Sequence, residues 1–303
     1  DSLCMNGEAV ATQYPMTVLE ELGMLKIDFL GLRNLTIIRD AETMVQQTQP
    51  GFSISSVPLD AAPVYDMLSK GNSDGVFQFE SGGMKRVLMN LSPDCFEDLI
   101  AVISLYRPGP MDSIPKYIYN RHHPDQVQYA HPLLKPILSV TYGCIVYQEQ
   151  VMQIFRELAG YSLGRADLVR RAMSKKKQDV MEQEREIFLH GLTDAEGHVV
   201  VEGCQRRGIP AKTAEAVFAE MSSFASYAFN KSHAAAYATV AYQTAYLKCF
   251  YPKEYMAALL TSVLESGKVA GYIAECARMG ISVLPPSVNE SLSGFTVVLS
   301  LIH

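Results

Sequence analysis

Basic side chains are concentrated in one short stretch of the chain. Residues 165–177 (RADLVRRAMSKKK) contain six basic residues and one acidic residue in thirteen positions. Because the whole chain has a formal net charge of −6, this stretch is a local positive patch on an acidic protein. Arginine and lysine both bind phosphate oxygens, so the patch predicts a phosphate, nucleotide or nucleic-acid ligand. A solvated helix face is the alternative interpretation.

The candidate anion ligands in this patch are Arg165, Arg170, Arg171, Lys175, Lys176 and Lys177. Successive side chains of a helix point about 100° apart, so Arg170 and Arg171 cannot both face one phosphate squarely. We therefore expect one arginine to clamp a triphosphate while the other pairs with Asp167 or a backbone carbonyl. The lysines would act as looser point charges, and such contacts position a polymer without reading its sequence.

A lone carboxylate near the N-terminus is a candidate metal ligand. Residues 24–32 (MLKIDFLGL) alternate apolar and charged side chains around Asp28 and end in a Gly31 turn, which predicts a short strand. Magnesium prefers hard oxygen ligands and often takes one or two carboxylates together with phosphate oxygens. One aspartate cannot hold two metal ions, and an aspartate at the end of a strand is also a common turn or cap residue.

A polar cluster precedes an alanine-rich stretch at residues 229–238 (FNKSHAAAYA). Ser232 is the predicted N-cap of a helix, whose N-terminus attracts anions. Lys231 would add a full charge there, and Asn230 and His233 complete the cluster. The alternative is a purely structural role, in which the cluster caps the helix and His233 is hydrogen-bonded.

Arg107 is the last candidate ligand, because the rigid sequence Pro-Gly-Pro follows it directly. Proline and glycine end the preceding helical pattern, so the turn could hold the guanidinium toward an anion. Alternatively, Arg107 binds carbonyl oxygens at the end of that helix.

Composition limits the classes of protein that the chain can belong to. Its 303 residues are enough for about two domains, and 48% apolar residues can form a substantial core. The six cysteines lie far apart without zinc-ligand spacing, which favours a reducing cytoplasm. No secretory leader, membrane-spanning apolar run, P-loop, dinucleotide fingerprint or GxSxG motif is found. We interpret the chain, which opens on Asp1, as part of a longer protein.

Helical periodicity dominates after residue 33. A helix burying Leu35, Ile38 and Met44 is expected first, and an extended segment is expected at 75–80. Further helices are predicted at 58–69, 83–90, 93–105, 147–159, 163–173, 212–223, 234–249 and 252–265. The predicted fold class is mainly α (α+β), a helical body with a small strand-bearing edge at the N-terminus.

Several long motifs together resemble one family, the bacterial replicative DNA polymerase III α subunit, a C-family polymerase. The motifs occur in the same order as in that family, from about Leu22 to Pro286, while the tail after Pro286 matches the family poorly. The motifs are 26–32 (KIDFLGL), 75–84 (GVFQFESGGM), 93–111 (PDCFEDLIAVISLYRPGPM), 141–154 (TYGCIVYQEQVMQI), 159–177 (AGYSLGRADLVRRAMSKKK) and 229–237 (FNKSHAAAY).

The resemblance implies a boundary after residue 33. Residues 1–33 would be the C-terminal edge of the nucleotidyltransferase-like palm, and residues 34–303 the fingers. Asp28 would be the third of three aspartates that hold two Mg²⁺ ions, and the upstream pair has no counterpart in this chain. The family's exonuclease-like, thumb, clamp-binding and C-terminal domains are likewise absent from it.

The resemblance also implies roles for the basic candidates. Arg170, Arg171, Lys175, Lys176 and Lys177 would face the triphosphate of the incoming dNTP. Asn230, Lys231 and His233 would lie near the nascent base pair, and Arg107 would be a further nucleotide or DNA ligand.

Our leading hypothesis is therefore part of a replicative DNA-directed DNA polymerase. This enzyme adds dNTPs to a primer 3′-hydroxyl and releases pyrophosphate by a two-metal mechanism, and the isolated chain is expected to be inactive. The expected partners are primer–template DNA, dNTPs and other replicase subunits, including the sliding clamp through regions outside this chain, with no membrane. The alternatives are a non-catalytic nucleotide- and DNA-binding fingers module and a helical scaffold with a solvated basic face.

Overall fold

The structure is a computed structural model that describes residues 3–25, 27, 31–174, 178–225, 227–263, 265–289, 291 and 293–298. Contacts divide the chain into two compact units, Asp1–Arg33 and Asn34–His303. The assignment of these units to palm and fingers stays a prediction. None of the helices within the described residues is long and apolar enough to cross a membrane.

The N-terminal unit contains a small antiparallel hairpin. Strands β1 (Leu3–Asn6) and β2 (Ala9–Thr12) pair in a register that runs from Leu3 opposite Thr12 to Asn6 opposite Ala9. Gly7 adopts a positive φ of 63° in the two-residue turn, a conformation that glycine reaches without steric cost. Helix α1 (Met16–Glu21) follows.

The strand predicted at residues 24–32 is wrong for the part of that segment that the structure describes. Met24, Leu25 and Ile27 are exposed and belong to no sheet. Alternating side chains form a strand only when a neighbouring strand accepts the backbone hydrogen bonds, and the described residues provide none here. Lys26 and residues 28–30, which include Asp28, lie outside the described residues.

The chain from Arg33 onward is predominantly helical, which confirms the predicted fold class. Its helices are α2 (Arg33–Gln46), α3 (Ala62–Ser69), α4 (Gly82–Leu91), α5 (Phe96–Leu105), α6 (Ile114–His122), α7 (Lys135–Leu138), α8 (Gln148–Ala159), α9 (Leu163–Ser174), α10 (Gln178–His190), α11 (Ala211–Ala225), α12 (Lys231–Phe250), α13 (Pro252–Ser262) and α14 (Ser266–Arg278). A second hairpin joins β3 (Leu192–Thr193) to β4 (Val199–Val201).

Three hydrophobic clusters form the core among the described residues, and α12 contributes to two of them. The first cluster is built mainly by α8, α9, α10 and α11, and the second by α3, α4, α5, α6 and residues 234–245 of α12. The third joins α2, α13 and α14 to Leu247 of α12. Ala234, Ala238, Ala241 and Ala245 are fully buried on α12. Their small side chains let α5 and α3 pack closely against this helix.

Two further segments differ from prediction. Leu35 was expected on the buried side of α2, but Ile37 and Ile38 are buried there and Leu35 is exposed. Residues 75–80 form turns rather than an extended segment, and Gln78 adopts a φ of 63°. The hydroxyl of Thr244 on α12 accepts from Phe77 N at 3.1 Å. Tertiary hydrogen bonding of this kind is not visible in local periodicity.

Candidate functional site

Helix α9 carries a compact cluster of opposite charges, which we call the arginine fork and define as Asp167, Arg170 and Arg171. Asp167 Oδ1 accepts from Arg170 Nε at 3.0 Å and from Arg170 Nη2 at 2.7 Å. Asp167 Oδ2 accepts from Arg171 Nε at 2.8 Å. The hydrogen bonds from Arg170 hold the pKa of the Asp167 carboxyl below its ordinary value. The expectation that only one arginine pairs with Asp167 is therefore wrong, because both do.

The two arginines of the fork differ in their access to solvent. The Arg170 side chain is 14% exposed, whereas the Arg171 side chain is 66% exposed. Arg171 is therefore the member that a ligand from solution can reach with least rearrangement. Lys175, Lys176 and Lys177, which follow in the sequence, lie outside the described residues.

Arg165, the first basic residue of the patch, has a structural partner on another helix. Its Nη2 donates to Glu184 Oε1 on α10 at 2.6 Å, and the Tyr161 hydroxyl donates to Glu184 Oε2 at 2.9 Å. The guanidinium also lies 5.5 Å from the centre of the Tyr161 ring. These contacts join α9 to α10, so the predicted patch contains a structural arginine as well as the fork.

The start of α12 is tied to the start of α8. Phe229 N donates to Val146 O at 3.2 Å, and Gln148 N donates to Phe229 O at 2.9 Å, which forms an isolated parallel bridge between Tyr147 and Phe229. The buried Gln150 accepts from the backbone N–H groups of Val146 and Tyr147 at 2.9 and 3.0 Å. These bonds position the chain directly before α12, which begins at Lys231.

Asn230, and not the predicted Ser232, is the N-cap of α12. Its Oδ1 accepts from His233 N at 2.8 Å. Lys231, which directly follows this cap, is the first residue of the helix. An N-cap side chain must reach an N–H group two or three residues ahead. Asn230 meets that requirement, whereas Ser232 already lies inside the first turn.

Replacing Asn230 with alanine is expected to lower the free energy of unfolding by about 1 kcal/mol, because one N–H group of α12 loses its acceptor. Ser232→Ala is the matched control and is expected to stay within about 0.5 kcal/mol of the parent chain. Chemical denaturation of the two variants measures both values. A larger loss in the Ser232 variant would contradict the assignment of the cap.

The N-terminus of α12 already has protein carboxylates beside it. Lys231 N donates to both Glu149 oxygens, at 3.1 and 3.2 Å. The Lys231 ammonium lies 3.0 Å from Glu97 Oε2 and 5.2 Å from the centre of the Tyr147 ring. An anionic ligand would therefore exchange with Glu97 and Glu149, so a DNA-binding role for Lys231 stays a prediction.

Arg107 lies against the segment that precedes α12. Its Nε donates to Ser104 O at 2.8 Å, its Nη2 donates to Tyr227 O, and its guanidinium carbon lies 4.3 Å from the centre of the Phe229 ring. Gly109 has a φ of 101°, and a Cβ there would lie 2.4 Å from the Tyr227 ring. The glycine of the Pro-Gly-Pro turn thus admits Tyr227, whose carbonyl oxygen binds Arg107.

Four rings form a continuous series, the aromatic ladder, defined as Phe77, Tyr237, His233 and Phe229. The Tyr237 ring centre lies 5.4 Å from that of Phe77 and stacks at 4.4 Å on His233, which lies 5.3 Å from Phe229. Sequence reasoning assigned no role to Phe77 or Tyr237. The spacing of four between His233 and Tyr237 is a signal that could have placed these two rings on one side of α12, whereas Phe229 precedes the helix.

The structure therefore places the predicted ligands in two groups. Arg107, Asn230, Lys231 and His233 all lie at or beside the start of α12, although Arg107 is more than one hundred positions away in sequence. Within the part of the chain that the structure describes, no hydrogen bond or ion pair joins this group to the arginine fork. Each group is consequently a separate candidate surface.

Two groups of possible metal ligands occur among the described residues, and in both of them carboxylate oxygens already bind protein N–H groups. Asp94, Cys95 and Asp98 lie within 4.8 Å of one another, but Arg121 Nη2 already lies 2.7 and 2.8 Å from the two carboxylates. Asp194, Glu196 and His198 lie on the exposed β3–β4 turn, where Asp194 Oδ1 accepts from the backbone of the other two. The predicted metal ligand Asp28 is outside the described residues.

Comparisons with a family model and with individual proteins point to the same family. A family model described as the bacterial DNA polymerase III alpha subunit finger domain matches residues 34–196, which include α9 and the arginine fork. DNA polymerase III subunit alpha of Borreliella burgdorferi is 45% identical over 290 residues, covering 95% of this chain and 24% of that protein. The Thermus aquaticus protein of the same name is 48% identical over 294 residues, covering 95% of this chain and 23% of its own length.

The relative from Escherichia coli K12, also named DNA polymerase III subunit alpha, is 45% identical over 305 aligned positions, covering 96% of this chain and 25% of that protein. The chain thus spans about a quarter of the length of the curated relatives that it matches. The family model covers more than half of the chain, from the start of the helical unit through α9 and α10. The chain therefore belongs to the family of the bacterial DNA polymerase III alpha subunit finger domain.

Proposed function

We propose that this chain supplies the nucleotide- and DNA-binding fingers, together with one edge of the palm, of a replicative DNA-directed DNA polymerase. The complete enzyme would add dNTPs to a primer 3′-hydroxyl and release pyrophosphate. The observation that carries the proposal is that the family match includes the arginine fork, whose Arg171 is 66% exposed. Among the ligands of such a polymerase, the nucleotide triphosphate has the charge and the geometry that suit two neighbouring guanidinium groups.

In this proposal the fork binds phosphate and the start of α12 binds near the base pair. Phosphate contacts suit a polymerase, because it must accept four different bases with one set of ligands. Lys175, Lys176 and Lys177 would extend the positive charge beyond the fork. The rings of the aromatic ladder, His233 among them, would offer faces on which bases of any identity can stack. Arg107 and Lys231 would contribute charge after exchanging their present partners.

Asp28 is proposed as a magnesium ligand, with the other aspartates of the site supplied from outside this chain. Two magnesium ions, when bound, would activate the primer hydroxyl and stabilise the pyrophosphate leaving group. Without the other aspartates, the isolated chain is proposed to bind nucleotide and DNA but not to catalyse extension. The proposed partners are primer–template DNA, dNTPs and further replicase subunits, including a sliding clamp bound through other regions, in a cytoplasmic setting.

Binding of a fluorescent primer–template to this chain, measured over a salt series with and without dNTP and Mg²⁺, tests the proposal. We expect DNA affinity to fall as salt rises, because cations that bind phosphates displace condensed counterions. We expect Arg171→Ala to weaken dNTP binding by about tenfold, the value of one charge-assisted hydrogen bond. Competition with unlabelled dNTP measures the change in dNTP affinity.

Arg39→Ala is the matched control, because Arg39 is an exposed helical arginine that also pairs with a nearby aspartate, Asp40. It should leave dNTP affinity unchanged. A folded chain, verified by circular dichroism, that binds neither DNA nor dNTP at low salt would contradict the proposal. So would equal losses in the Arg39 and Arg171 variants, because these would indicate a non-specific effect of charge.

A further inference from the structure

The arginine fork resolves a geometric conflict between neighbouring residues. Arg170 and Arg171 leave the helix axis in directions about 100° apart. Asp167 precedes them by three and four positions, so its carboxylate lies next to both on the helix surface. The carboxylate binds Nε and Nη2 of Arg170 and Nε of Arg171, at distances between 2.7 and 3.0 Å. One side chain thereby brings two divergent guanidinium groups together.

The bonds to Asp167 leave N–H donors on both guanidinium groups, although the Arg170 side chain is only 14% exposed. An arginine side chain has five N–H donors in a planar arrangement. Asp167 uses two of them on Arg170 and one on Arg171. The fork has a formal charge of +1, so its attraction for an anion is reduced by Asp167 but not abolished. The flexible Arg171 loses rotamer freedom in the fork before any ligand arrives.

We infer that Asp167 is a positioning residue for nucleotide binding, which makes Arg170 and Arg171 converge on one triphosphate. The inference rests on the proposed function, because it assumes that the fork binds the dNTP. Asp167 itself would not contact the phosphate. It would hold the two guanidinium groups in the bound arrangement in advance, so that less side-chain entropy is lost when the ligand binds. A carboxylate that merely competed with the phosphate for the guanidinium groups would instead weaken nucleotide binding.

Asp167→Asn in the full-length polymerase subunit that contains this segment tests the inference. We expect KM for dNTP to rise about tenfold, because the three charge-assisted hydrogen bonds to the guanidinium groups are weakened, while kcat changes less than about threefold. Asp167→Glu keeps the charge and should restore most of the affinity. Asp66→Asn is the matched control, because the exposed Asp66 of α3 pairs at 2.7 Å with the exposed Lys70, and it should change neither constant.

The outcomes separate the two claims. A lower KM in the Asp167→Asn variant would show that Asp167 competes with phosphate, and an unchanged KM would show that it has no positioning role; either result overturns the inference. Should Asp167→Asn fail to fold, Asp167→Ser takes its place: a rise of about tenfold in KM supports the inference, and an unchanged or lower KM contradicts it. An unchanged KM in Arg171→Ala would instead contradict the proposed function of the fork.

Discussion

The Lys248→Ala variant is expected to lose about 3–5 kcal/mol of unfolding free energy, the cost of breaking a buried ion pair from one side. Lys248 is on α12, and its side chain is 1% exposed. Its ammonium donates to Asn72 O at 2.9 Å, to Asp74 O at 2.8 Å and to Glu275 Oε1 at 2.6 Å. Alanine would leave both carbonyl oxygens without this donor and a cavity where the side chain lay.

The buried Glu275 carboxyl loses one of its two cationic partners in that variant. Burial favours its neutral form, but hydrogen bonds from Arg278 and Lys248 outweigh burial and hold the pKa of the carboxyl below its ordinary value. Arg278 contacts both Glu275 oxygens, at 2.7 and 2.6 Å, so one cation stays in place after the substitution. The expected loss therefore lies in the lower half of the range.

Urea denaturation of the chain measures this effect. Lys268→Ala is the control, because Lys268 is an exposed lysine of α14 whose ion pair with Glu265 spans 3.8 Å, and it should change stability by less than about 0.5 kcal/mol. The double variant Lys248→Met, Glu275→Leu should recover part of the loss, because it removes both buried charges. A Lys248→Ala variant within about 1 kcal/mol of the parent chain would contradict the buried network.

Asp28→Asn in the full-length polymerase is expected to lower primer extension by at least about a thousandfold, because a catalytic metal contributes several kcal/mol to the transition state. Asparagine keeps the shape of the side chain and removes its charge. DNA affinity should stay nearly constant, since the proposed DNA ligands are the basic residues. Single-turnover extension and primer–template binding, measured on the same preparation, give the two numbers.

Asp60→Asn provides the comparison for Asp28, because Asp60 is an exposed aspartate in a turn and should be neutral in both assays. Near-normal extension by the Asp28 variant would remove Asp28 from the proposed metal site. Loss of DNA binding together with extension would indicate a folding defect rather than a missing metal ligand. The non-catalytic binding module would be favoured if the parent full-length protein itself bound primer–template and dNTP without extending the primer.

The sequence was sufficient for features that depend on neighbouring residues. Periodicity predicted a helix at residues 147–159, and α8 does form there, with Val151, Phe155 and Leu158 buried and Gly160, at a φ of 75°, after its last residue. The mainly helical class and the polymerase family were also evident, because long motifs in a fixed order carry far more information than any single spacing. The contact between Asp167 and the arginines of α9 is local too, although sequence reasoning expected only one of them to make it.

Only the tertiary structure showed contacts between distant segments. Arg107 meets Phe229, Lys231 meets Glu97, and Lys248 is buried against Glu275, each across 27 or more positions. From the sequence alone, a charged residue is expected to be solvated. The burial that makes Lys248 structural depends on which helices surround it, and the sequence does not show these helices. Likewise, Asn230 caps α12 because the bridge to α8 sets the backbone there. The sequence by itself determined the mainly helical class and the family, while packing decided which charges are structural and which remain available to a ligand.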